Sequence, residues 1–184
     1  MLNSMIDQAT GESLMRWTVR FAVACYLIRV WLLLSRPNSS RVPTQADCWA
    51  WTVGWFSYAA HVLLAFHFIH DWSHLDAVEH TAVETARMTG VRRGEGIWVN
   101  YLFTLIWLAD VVRLWVAHWR GRPTWRRLDM VLHAFFAFIF INATVVFGSH
   151  GYRWLAIPVA IAFWWAWLQS GSKSAADADR HVSG

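Results

Sequence analysis

Four side chains in one short stretch have the types and the spacing for metal chemistry: His67, His70, Asp71 and His74. They stand at i, i+3, i+4 and i+7, so on a helix they share one face. Three imidazoles and a carboxylate are a donor set used for zinc, copper or iron. His70 and His74, four apart, can grip one divalent ion from a single helix. Asp71 can serve as a ligand or as the acceptor that fixes a histidine tautomer. One helix seldom completes such a site, and His150 is the expected remote ligand. An ion held there would act as a Lewis acid or redox centre, or would clamp helices together. His80 and Glu84 form another four-apart pair on a different face.

The elements that must position these residues follow from composition. The chain has 184 residues, 57% hydrophobic and 15% charged, against about 25% charged in an average soluble domain. The apolar residues fall in blocks near the length of about 20 that a bilayer-crossing helix needs. They lie at about 14–34, 48–69, 97–118, 129–148 and 152–169. The expected fold is therefore all-α: an integral membrane bundle of five transmembrane helices. It has four if the first block, which carries Arg16, Arg20 and Arg29, lies in the interface. Residues 1–170 read as one domain and 171–184 as a flexible polar tail. From Asp71 onward no Gly or Pro precedes Gly90. The second helix is thus predicted to run on beyond the membrane to about Thr89, with Gly90 ending it. No basic leader with a small-residue cleavage site is visible, so the chain is expected to stay uncleaved.

A second polar group lies deeper. Asp110 in the third block has Arg113 at i+3, and Arg29 is expected at similar depth; pairing with either keeps a carboxylate tolerable there. A b-type haem needs one histidine on each side of the porphyrin, and His61 with His133 is the pair whose depths agree best. Ser57-Tyr-Ala-Ala-His61 and His70-Asp-Trp-Ser-His74 resemble the Ser-xxx-His and His-xxx-His motifs of membrane zinc hydrolases related to ceramidases. In that family the motifs sit on different helices of a seven-span bundle. Here both fall within about eighteen residues of a shorter chain, and the chain is not assigned to the family. The repeated histidine boxes of membrane desaturases are missing, as are a phosphate-binding loop, a dinucleotide fingerprint and a nucleophile elbow.

Charge sets orientation and partners. Eight basic residues lie on one side: Arg36, Arg41, Arg120, Arg122, Arg126, Arg127, Lys173 and Arg180. Five lie on the other: Arg16, Arg87, Arg92, Arg93 and Arg153. The richer side is expected in the cytoplasm, which puts the amino terminus and the histidine stripe outside a cell membrane. Net charge is +4, but the basic residues sit in short connections, so nucleic acid is not an expected partner. Many of the fifteen Trp residues fall near block ends, where aromatic belts belong. The expected function is a small membrane protein with a His/Asp metal cluster at the outer end of the second helix. The alternatives are a non-catalytic membrane subunit or scaffold, with a membrane protein partner or homo-oligomer, and a haem electron-transfer protein.

Overall fold

The computed structural model describes residues 2–34 and 42–142. Five helices appear and, among the described residues, no strand: α1 (Leu2–Leu34), α2 (Gln45–Phe68), α3 (His74–Thr89), α4 (Gly96–Trp119) and α5 (Arg126–Ile141). They fall in two compact units. One takes residues 2–29 and 43–122; the other takes residues 30–34, 42 and 123–142. The block at 152–169, the end of the block at 129–148, and the tail lie outside the described residues.

In the first unit α1, α2 and α4 are joined by long-range pairs that set an antiparallel register. The His61 ring meets the carbonyl of Met15, and Arg29 meets Asp47. From α2 to α4, Trp115 bonds Thr52 at one end and Phe66 stacks near Tyr101 at the other. The three helices meet at Gly54, where an added Cβ would stand 2.8 Å from the Trp107 ring and 3.0 Å from the Cys25 Cβ. A residue without a side chain is what lets helix backbones approach this closely. α2 starts with a reciprocal cap. The Thr44 hydroxyl accepts from the Asp47 N–H at 3.4 Å, and Asp47 accepts from the Thr44 N–H at 2.7 Å, which satisfies two of the helix's orphan donors.

Among the described residues two helices, Ala9–Leu34 and Gly96–Trp119, are long and apolar enough to cross a membrane; the expected five-span bundle is not supported beyond these. α2 has the length, but its Trp, Thr, Ser, Tyr and His residues hold its hydropathy down. The described part of α5 has 16 residues, short of the roughly 20 that a span needs. α1 also begins at Leu2, well before the first apolar block.

The predicted extension of the second helix is corrected. α2 stops at Phe68 and a separate helix starts at His74. Asp71 and Trp72 take left-handed backbone conformations, at φ 43° and 61°. The Trp72 N–H turns back to the Phe66 carbonyl at 2.9 Å, and the Ser73 N–H to the His70 carbonyl at 2.6 Å. Ser73 then caps the new helix, its hydroxyl accepting from the Asp76 N–H at 3.2 Å. The physical reason is this restart: a Ser three residues before an Asp offers the backbone a cap that competes with helix continuation. The other end is as expected, with Gly90 closing α3 at φ 76°.

Within the second unit, α5 follows Pro123. The Thr124 hydroxyl donates to Asp129 at 2.6 Å, both groups being buried, and Phe136 and Phe140 are buried while Met130, Val131 and Phe138 are exposed.

Candidate functional site

Polar side chains gather at the two ends of α2. At its amino-terminal end they are buried or half-buried. The carboxylate of Asp110, on α4, accepts from the indole N–H of Trp51 at 2.8 Å and from Arg113 Nε at 2.6 Å. Arg29 on α1 reaches Asp47 at 3.3 Å, with both side chains essentially inaccessible. Trp115 donates to Thr52 at 2.9 Å, and Trp55 to the Thr104 carbonyl at 3.1 Å. The His118 Nδ1–H donates to the Pro43 carbonyl at 2.8 Å. Trp51 packs on Trp107 with ring centroids 4.9 Å apart, and Tyr58 meets Phe103 edge-on at 4.8 Å. The sequence-based ion pair of Asp110 with Arg113 is therefore present, while the Arg29 guanidinium forms its close ion pair with Asp47.

At the carboxyl-terminal end the predicted histidine stripe is divided, because it straddles the helix break. His67, on α2, accepts from the Trp72 indole at 3.3 Å. His70, in the loop, lies buried with Nδ1 3.1 Å from Asp76 Oδ2. Asp71 is an exposed turn residue. His74, at the start of α3, pairs with the Tyr101 hydroxyl at 3.0 Å and lies against the Trp98 ring. The single-face geometry expected for these four residues is thus not what the fold provides: left-handed backbone at two positions turns their side chains toward different partners. Among the described residues no group of three or more His, Cys, Asp or Glu is placed to hold a metal ion. His150 lies outside the described residues.

The break makes a different pairing. The rings of His70 and His80 approach edge-on, with centroids 5.3 Å apart. Sequence reasoning assigned His80 to a separate face and left Asp76 out. The usable signals were the Ser73-x-x-Asp76 cap and the four-residue spacing of Asp76 and His80 on α3. A cavity of about 100 Å³ opens beside them between α2, α3 and α4, with His61, His70, Thr81, Asn100 and Tyr101 in its wall. Of the proposed haem pair, His61 bonds the Met15 carbonyl at 3.0 Å, and His133 lies on α5 in the second unit. Glu84 is taken up by Arg87 at 2.6 Å, and Glu79 by Arg92.

Neither a family model, nor a curated protein, nor a solved structure matches the chain.

Proposed function

We propose that the chain is an integral membrane protein of structural type, a membrane subunit or scaffold. In this reading α1, α2 and α4 cross the bilayer together. One observation carries it: α2 and α4 turn apolar residues outward along their lengths, while the ionisable groups between the helices are buried and paired. Every exposed residue of α2 between Trp49 and Phe66 is apolar, namely Trp49, Val53, Phe56 and Leu63. On α4 the exposed positions from Leu102 to Trp119 are Leu102, Leu105, Leu108, Ala109, Val112, Val116 and Trp119. The ionisable residues Arg29, Asp47 and Asp110 are buried. In water such outward faces would be costly at about 25 cal/mol per Å² of apolar surface. Against lipid they cost nothing, and paired ionisable groups facing inward are the arrangement a bilayer permits.

α2 lacks the hydropathy of a span that stands alone, and in this reading it rides on α1 and α4. Its indoles, hydroxyls and histidine find acceptors or donors on α1 and α4, the kind of contact that holds membrane helices together. The buried polar groups therefore serve helix association. The Arg-rich end, with Arg120 and Arg122 after α4, is placed in the cytoplasm and the histidine-rich end outside.

Alkaline carbonate extraction of membranes from expressing cells tests the first part, with the protein expected in the pellet. Recovery in the supernatant overturns it. A reporter fused after Arg122 should read cytoplasmic, and one fused near Arg92 external. The subunit reading expects a membrane protein to copurify in mild detergent; a stable lone monomer counts against it.

A further inference from the structure

We propose that His70 and His80 form a two-imidazole site for a zinc-class divalent ion, with Asp76 as the positioning residue. The site goes beyond the membrane reading and does not depend on it.

The first support is the tautomer. An ionised carboxylate only accepts hydrogen bonds, so Asp76 Oδ2 at 3.1 Å keeps the proton of His70 on Nδ1. The lone pair is then on Nε2. A carboxylate behind a histidine is the recurrent outer-shell partner of metal-bound imidazole, which it orients and makes more basic.

The second support is distance. Zinc–nitrogen bonds are about 2.0–2.1 Å, and with a tetrahedral angle at the ion this puts two ligand ring centroids about 5 Å apart. The rings of His70 and His80 stand 5.3 Å apart with 69° between their planes. The rings are therefore not stacked, and their separation is that of two ligands of one ion.

The third is scaffolding. Asp76 and His80 are four apart on α3, so they share one face. Ser73 ties that helix to the loop, donating its N–H to the His70 carbonyl and accepting from the Asp76 N–H. His70 is buried while His80 is exposed, so one ligand is anchored and the other faces the entering ion. Two imidazoles leave two tetrahedral positions for water or an incoming ligand, one more than the three-ligand open zinc sites leave.

Zinc titration calorimetry on the full chain in detergent, with cobalt(II) as absorbance probe, tests the site. One equivalent of zinc is expected in wild type. H80A should weaken binding at least tenfold, and D76N by about 10–100-fold, the range seen when an outer-shell partner is lost. H67A and H74A should bind as wild type. His80 is exposed, so H80A reads the site even if H70A fails to fold, and a thermal melt checks this. Wild-type affinity in H80A overturns the proposal. So does absence of stoichiometric zinc in wild type, or a loss in H67A or H74A equal to that in H80A. None of these outcomes bears on carbonate extraction, so the site and the membrane reading fail separately.

Discussion

The two ends of α2 carry polar side chains of similar kinds, and the fold treats them differently. At the amino-terminal end the partners are remote in sequence: Trp51 and Asp110 are 59 residues apart, and Thr52 and Trp115 are 63 apart. These groups are buried or half-buried, and each bond exists only if α2 and α4 keep one register. At the carboxyl-terminal end two of the three histidine partners are local: Trp72 lies five residues from His67, and Asp76 six from His70. Those bonds are made by a turn and a cap. The first set reports helix association, and the second reports loop geometry. Buried polar groups are expensive to leave unmatched, so the two ends should answer mutation on different scales.

The largest contrast is between the two aspartates. Asp110→Ala removes the acceptor shared by Trp51 and Arg113 in the interior. Breaking a buried pair from one side costs about 3–5 kcal/mol, so this variant should lose most of its thermal stability in detergent. Asp76→Ala takes away a carboxylate whose side chain is 56% exposed. Its own charge is screened by solvent, and the buried His70 N–H it leaves without an acceptor sets the cost at about 1 kcal/mol. Similar melting shifts for both would break the comparison.

Gly54→Leu comes next. Even a Cβ there would press on Trp107, and overpacking costs about 1–3 kcal/mol. The loss should appear as lowered thermal stability in detergent, with α3 still formed by circular dichroism. Ser73→Ala should cost about 1 kcal/mol, typical of a lost cap. Hydrogen exchange should quicken in the first turn of α3 and leave α2 unchanged; faster exchange throughout α2 would mean that the two helices unfold as one.

What the sequence revealed divides along the same line. Spacing alone exposed the Asp110–Arg113 pair, because an i+3 contact needs nothing but a helix. Gly90 marked the end of α3, because a left-handed cap favours glycine. The Arg29–Asp47 pair was hidden, since it depends on how α1 and α2 slide past each other. The helix break was hidden for another reason. Its left-handed positions are filled by Asp71 and Trp72, while the familiar breakers Gly and Pro are absent. A stripe at i, i+3, i+4 and i+7 is informative only while one helix carries all four residues. Here the unbroken-helix assumption failed, and the histidines were redistributed with it.

The smallest effect gives the sharpest test of that break, because it turns on sign. Asp71 is exposed, so replacing it removes little packing. In the middle of a helix Ala is more favourable than Gly by about 1 kcal/mol. At φ 43° the order reverses, since a left-handed conformation costs a Cβ-bearing residue about 1–2 kcal/mol and glycine pays no such strain. Glycine's larger entropy in the unfolded chain takes back part of that gain. Asp71→Gly should therefore melt above Asp71→Ala by a margin below about 1 kcal/mol. The comparison uses two variants lacking the same carboxylate, so any role of the Asp71 side chain cancels. If Ala proves the more stable, the chain runs helical through this position, His67, His70 and His74 return to one face, and the pairing of His70 with His80 loses its structural basis.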